Sequence, residues 1–273
     1  MAFSNTTQRV LVAIAAIPII LGACYFGNLF FFLFVLAIAL LAYYEFYSFV
    51  TNKNAHVNMW LGELIIFALL LNQYHFFISY QSLFLVIVFL ISLVELFRNN
   101  GSAIINIGAT LLGIFYIGLF SSAIIGIREF YSGEVRYSDG GYLIISILVT
   151  IWICDSAAFY GGTAFGKHKL FPRVSPKKSW EGSVFGFIFA ILSMITAHET
   201  ILNFIPLSEA ITFGIIIGTI GQLGDLVESL FKRDAGVKDS SNLIPGHGGL
   251  FDRFDSLLFA APVIFLVLKY FGK

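Results

Sequence analysis

The chain has 273 residues, of which 58% are hydrophobic, 17% aromatic and only 12% charged, and its mean hydropathy is +0.89. Soluble domains carry about 25% charged residues, so this composition excludes an ordinary soluble fold. Sixteen Lys+Arg balance 16 Asp+Glu, which leaves no basic excess for a nucleic-acid backbone and no acidic excess for a disordered tail. The two cysteines, Cys24 and Cys154, lie inside apolar runs and cannot supply a disulfide framework.

Apolar windows approaching the ~20 residues that span a bilayer recur along the whole chain. In order they predict helices over 10–27, 29–50, 59–72, 76–97, 103–127, 141–165, 182–202, 208–231 and 252–271. This is the pattern of an all-α polytopic membrane protein with about nine transmembrane helices. If all nine cross, Arg9, Lys53, Arg98, Lys167, Lys169, Arg173, Lys177, Lys178, Lys232, Arg233, Lys238 and Arg253 share one face, and only Arg128, Arg136, Lys269 and Lys273 reach the other. The positive-inside rule then makes the N-terminus cytoplasmic and puts the C-terminus on the opposite side, as in a protein of the bacterial cytoplasmic (inner) membrane. Residues 1–140, with five helices, read as scaffold and lipid access. Residues 141–273, with four helices and the polar loops 166–181 and 232–249, read as the catalytic part, its site at the cytoplasmic face.

An ionisable group at a helix centre costs about 2.5–3.5 kcal/mol on insertion scales, so each one inside an apolar span needs a reason. Glu45, Glu63 and Glu95 stand near predicted helix ends, where an acid reaches interfacial water, and need no further role. Asp155 stands well inside the sixth helix, shortly before Gly161 and Gly162. In the eighth helix Gly214, Gly218 and Gly221 precede Asp225 at spacings that return to one face, and Glu228 and Lys232 continue that stripe. Small residues let a neighbouring backbone approach; they do not explain two carboxylates in succession.

The ninth helix opens Asp252-Arg253-Phe254-Asp255, which fits a capping box. Before it, Pro245-Gly246-His247-Gly248-Gly249 carries glycines that can turn successive N–H groups toward an anion beside a helix N-terminus. Carboxylates next to an anion site call for a cation between them, and magnesium, which takes one or two carboxylates plus phosphates and water, is the natural choice, with a second cation allowed. Lys167, Lys169, Arg173, Lys177 and Lys178 fit a topology signal and anionic-lipid attraction. Lys232, Arg233, Lys238 and Arg253, interleaved with Asp234, Asp239, Asp252 and Asp255, suit a polyphosphate better than a lipid surface.

Ser229-Leu230-Phe231-Lys232-Arg233, then Lys238-Asp239, Ser241, Ile244-Pro245 and His247 to Asp255, resembles without departure the signature of phosphatidate cytidylyltransferases. Ser175-Pro176-Lys177-Lys178-Ser179-Trp180-Glu181-Gly182 resembles a second stretch of that family. Asp155-Ser156 with Gly162 and Phe165-Gly166-Lys167 resembles a third, from which Thr163 and Phe159 depart. The resemblance covers the C-terminal half. It implies that CTP and phosphatidate give CDP-diacylglycerol and pyrophosphate with magnesium required, in a membrane of lipid partners, with a homodimer allowed and no nucleic acid.

Residues and resemblance together single out Asp225, Asp252, Asp255, Lys232 and Lys238 as catalytic. They make Asp225, Asp252, Asp255 and Glu228 the metal ligands, and Asp155, Lys177, Lys178, Ser179, Arg233, His247, Gly248, Gly249 and Arg253 the substrate-binding residues. Two other activities remain open: a CTP-dependent lipid kinase of the polyprenol or phytol type, and an ion-coupled transporter using Asp155, Asp225 and Glu228.

Overall fold

A computed structural model describes residues 5–131, 136–241 and 248–272; for 5–11 and 13 the description is of backbone alone. Counting through two π-helical turns, the described residues form nine helices: α1 (Asn5–Phe26), α2 (Asn28–Thr51), α3 (Met59–Tyr74), α4 (Tyr80–Leu96), α5 (Ala103–Arg128), α6 (Tyr137–Phe165), α7 (Trp180–Thr200), α8 (Leu207–Asp234) and α9 (Phe251–Phe271). Six of them, α2 and α5 to α9, are long and apolar enough to cross a membrane. With Trp60, Phe97 and Ile104 78%, 81% and 85% exposed, the outer surface is apolar, whereas Glu45, Glu228 and Arg128 are wholly buried. Large apolar side chains outside and charges inside are the distribution expected of an integral membrane protein.

Local chemistry sets the helix ends. Asn58 and Ser79 cap α3 and α4 by accepting from Leu61 N and Ser82 N. The helix predicted from residue 76 starts only at Tyr80, because the Asn72 side-chain oxygen accepts from Phe77 N and Ile78 N and folds that stretch into a turn. The predicted loop 166–181 contains an antiparallel hairpin, β1 (Lys169–Phe171) and β2 (Ser175–Ser179), paired Lys169 to Ser179 and Phe171 to Ser175. Glu181, in the first turn of α7, ties it down: its carboxylate lies 2.6 Å from His168 Nδ1 and accepts Lys167 N at 3.1 Å.

Contacts between helix ends fall into two groups. At one, Arg98 donates to His56 O and the Asn106 side chain accepts from His56 N, joining the ends of α2 and α4 to the start of α5. At the other, Arg128 donates to Cys24 O at 2.6 Å, Tyr25 O at 3.0 Å and Tyr137 O at 3.1 Å, joining the ends of α1 and α5 to the start of α6. Arg128, counted from the sequence only among the charges of the second face, is a buried clamp on backbone carbonyls. Gly27, at φ +65°, makes room for it, since a Cβ there would overlap the guanidinium.

The glycine stripe of the eighth predicted helix holds in part. A Cβ at Gly214 or Gly218 would come 2.7 Å from Ile191 Cα or 2.8 Å from Phe187 Cα, so both let α8 pack on the α7 backbone. Gly221 differs, its nearest neighbour at 3.8 Å, and Gly224 takes the tight position against α9, 2.5 Å from Phe259 Cβ. The reason is the π-helical turn Ile217–Gly221, which rotates the following residues away from the face that regular α spacing predicts.

Candidate active site

Residues from α6, β2, α8 and α9 converge where α6 and α8 end and α7 and α9 begin. In the extended strand β2, successive side chains point to opposite sides; Lys177 is exposed, whereas Lys178 turns inward and its Nζ donates to Asp225 Oδ2 at 2.5 Å. That contact brings together two of the stretches singled out in the sequence. Asp225 is about a third exposed, at 34%, and its other oxygen is 3.4 Å from Ser229 Oγ. Asp155 and Asp255 lie within electrostatic reach of Asp225 and of each other, with Lys178 acting on both and Arg253 on Asp155. Three carboxylates thus face one another with Lys178 and Arg253 as the cations that act on them among the described residues.

A second group forms beside it. Lys232 Nζ lies 2.6 Å from Glu228 Oε2, one helical turn back, and also binds Asp252 Oδ1. Oδ2 of Asp252 accepts Ser240 N at 3.0 Å, Ser240 Oγ at 2.7 Å and Gly249 N at 3.1 Å. Of the four carboxylates expected as metal ligands, the structure therefore places Glu228 and Asp252 on Lys232, and Asp225 and Asp255 with Asp155. Asp252 is not the helix cap: α9 starts at Phe251, Leu250 holds the cap position without a side-chain bond, and Asp252 falls inside the first turn.

Of the N–H groups expected to cradle an anion, that of Gly249 is occupied by the protein, and so are the first two of α9. Gly248 has the anticipated positive φ, +80°, but Gly249 N points to Asp252, and Leu250 N and Phe251 N point to Glu45. Pro245, Gly246 and His247 lie outside the described residues. Ser179 is buried as the cap of α7, accepting from Gly182 N at 3.2 Å. Arg233 donates to Val174 O and Val237 O and so ties the end of α8 to the hairpin. Lys238 is exposed.

Two residues that the sequence left without a role, Glu45 and Tyr116, enter here. Glu45, treated as an interfacial acid, is completely buried and receives four donors from the second group's loop and from the start of α9. Glu95, treated in the same way, is buried as well, and accepts from Arg98 and Asn106. Tyr116, in the π-helical turn of α5, is 6% exposed and lies within electrostatic reach of Asp255, Glu228 and Asp225; its hydroxyl makes no hydrogen bond among the described residues. Only the π turn could have flagged it, and periodicity does not show one.

Among the described residues no three His, Cys, Asp or Glu side chains stand close enough to hold a metal ion by themselves. Magnesium needs no such cage, because it commonly takes one or two carboxylates and fills its shell with phosphate oxygens and water. The trio Asp155, Asp225 and Asp255 fits an ion that arrives with a polyphosphate.

Fold and site define a polytopic membrane protein that gathers carboxylates, lysines and an arginine at one end of its bundle. The chain belongs to the cytidylyltransferase family, whose sequence model matches residues 7–271. It is 33% identical over 271 residues to the phosphatidate cytidylyltransferase of Bacillus subtilis (strain 168), covering 97% of this chain and 98% of that one. The Staphylococcus haemolyticus (strain JCSC1435) enzyme of the same name is 33% identical over 95% of this chain and 98% of its own. That of Haemophilus influenzae is 47% identical over 127 residues, 45% of this chain and 44% of its own.

Proposed function

We propose that the chain transfers the cytidylyl group of CTP to phosphatidate, giving CDP-diacylglycerol and pyrophosphate. The observation that carries this reading is the Lys178–Asp225 contact, which closes the family-like hairpin stretch Ser175–Gly182 onto α8 one turn before the second such stretch, Ser229–Asp255, begins, in a chain similar to the first two named relatives over almost its full length. An oxygen of the lipid phosphate attacks the α-phosphorus in line; the new P–O bond forms as the α–β bridge breaks and pyrophosphate departs with the electron pair. The second pKa of a phosphomonoester is about 6, so the nucleophile is already largely dianionic at neutral pH and needs no strong base. The obstacle is repulsion between anions.

Lys178 and Arg253 offset that repulsion on one side and Lys232 on the other, and Lys178 can exchange its Asp225 partner for a phosphate oxygen. Asp225 and Asp255, with Asp155 beside them, are the residues that would hold a magnesium ion, which supplies charge neutralisation across the triphosphate and allows a second cation. Glu228 and Asp252 fix Lys232 instead of meeting the ion directly. Lys177, on β2, and Lys238, after α8, are exposed cations that meet the nucleotide from the surroundings of the site. Residues 141–273 carry this machinery and 1–140 supply scaffold and lipid access, with Glu45 and Tyr116 as the first half's contributions.

All nine helices cross the inner membrane in this proposal, the N-terminus and the site on the cytoplasmic face and the C-terminus opposite. A homodimer is compatible with it. The two groups of helix-end contacts support the alternation, and a site at the membrane face leaves the acyl chains in lipid. Purified protein given phosphatidate, magnesium and CTP labelled at the α-phosphorus should yield organic-extractable label, whereas label at the γ-phosphorus should stay in pyrophosphate. Lipid labelled from the γ position would make the chain a kinase, and label from neither would return it to the transporter class.

A further inference from the structure

Glu45 belongs to α2, in the half of the chain without sequence likeness to the signature stretches, yet its carboxylate is the meeting point of Ser240, Ser241, Leu250 and Phe251. Oε1 accepts Ser241 Oγ at 2.6 Å and Leu250 N at 2.9 Å; Oε2 accepts Ser240 Oγ at 2.8 Å and Phe251 N at 2.8 Å. Serines 240 and 241 stand before residues 242–247 and Leu250 and Phe251 after them. One side chain therefore holds both ends of that stretch and the first N–H groups of α9, where a negative charge also meets the positive end of the helix dipole.

The same carboxylate reaches the reacting groups through one atom. Ser240 Oγ lies 2.8 Å from Glu45 Oε2 and 2.7 Å from Asp252 Oδ2, and Asp252 binds Lys232. A hydroxyl has a single proton, so it can donate fully to only one of the two acids at a time. Gly249 is held by the same packing, since a Cβ there would overlap both Ser240 Oγ and Glu45 Oε2. Had α9 needed only a cap, a Ser, Thr or Asp at position 250 would satisfy its N–H groups locally; the position is Leu250, and the acceptor comes from a helix about 200 residues earlier in the chain, with a separation of 205 for the Leu250 contact.

We infer that Glu45 is a positioning residue for the nucleotide: it sets the place of Ser240, Gly249 and Asp252, and through them the direction of the Lys232 ammonium. The inference rests on the reading of residues 225–255 as the CTP site. Glutamine at 45 keeps one acceptor oxygen, so whichever way its amide turns, one backbone N–H of α9 faces an NH2 group instead of an acceptor.

The test compares E45Q with wild type and with E95Q, which alters a buried acid that accepts from Arg98 and Asn106 instead of from these residues. In purified full-length protein, E45Q should accelerate amide exchange in the segment spanning 239–253 and lower kcat/KM for CTP by at least about tenfold, equivalent to about 1.4 kcal/mol, with KM for phosphatidate little changed. E95Q should leave the CTP parameters at wild-type values. If E45Q does not fold, Ser241→Ala removes a single donor and should move the same CTP parameter in the same direction by a smaller factor. Wild-type CTP kinetics in E45Q, wild-type CTP kinetics in Ser241→Ala where E45Q does not fold, or an equal loss with CTP and with phosphatidate, would overturn the inference. An inactive wild-type protein would instead defeat the proposed reaction, and the exchange measurement would still decide whether Glu45 orders the segment.

Discussion

Asp225 and Asp252 are both acids paired with lysines, and the structure predicts opposite consequences for replacing them with asparagine. The Lys178–Asp225 pair is half open, its side chains 30% and 34% exposed. Solvent-screened pairs of this kind contribute about 0–1 kcal/mol, so D225N should lower the unfolding free energy by no more than about 1 kcal/mol. Its effect on turnover should be far larger, because the carboxylate that would hold the magnesium ion against the triphosphate loses its charge; removal of one such electrostatic group costs about 10²–10³-fold. Asp252 and Lys232 are 9% and 12% exposed, and Asp252 accepts three further hydrogen bonds. D252N presents an NH2 group to some of those donors and leaves Lys232 shared with Glu228 alone, for which a buried-pair penalty of about 3–5 kcal/mol is expected. The assay is paired: melting of the detergent-purified variants, and α-labelled CTP transfer per folded molecule. D225N with near-wild-type turnover would refute its place at the phosphates. D252N as stable as D225N would refute the description of two distinct groups.

Omitting magnesium should abolish α-label transfer, since lysines and arginine alone must then offset the repulsion between lipid dianion and nucleotide; transfer that survives chelation would refute the cation requirement. Gly249→Ala and Gly224→Ala should both cost stability and activity, whereas Gly221→Ala, with its nearest neighbour at 3.8 Å, should be tolerated, as expression and melting will show. Cysteine replacing the exposed Lys177 should react only with reagents on the cytoplasmic side, and cysteine replacing the exposed Asn203 only from outside; labelling of both from one side would end the nine-crossing arrangement.

Much of the helical layout was legible because apolar run length is a strong signal and α-helices are the economical way to satisfy backbone groups in lipid. The Lys178–Asp225 meeting was legible only as two separate stretches of unusual polarity; composition placed both near one face, and the pleat of β2 decided which lysine turns inward. The hairpin itself was hidden, as Ser175 to Ser179 carries no apolar alternation and is held by the Glu181 contacts. Glu45 was misjudged for a different reason. Position near a helix end predicts access to water, and nothing in the sequence around residue 45 announces that the start of α9 will cover it. The π turns displaced Gly221 and brought Tyr116 inward, because a rule built on 3.6 residues per turn fails beyond an inserted residue.

The span between Glu45 and its partners has a consequence for how the chain is made. Glu45 enters the membrane with α2, but Leu250 and Phe251, which supply two of its four donors, follow about 200 residues later, 205 in the case of Leu250. At about 5–20 residues per second, ribosomes need about 10–40 s to cover that distance. For that interval the acid waits in an otherwise apolar helix without the groups that finally neutralise its burial. Its place six residues before Thr51, the last residue of α2, lets it wait at the membrane surface instead of in hydrocarbon, where an acid costs about 2.5–3.5 kcal/mol. Closure of the bundle over Glu45 is then among the last events of biogenesis, and a chain truncated before α9 leaves a charged, unsealed helix that membrane quality control can distinguish from the finished protein.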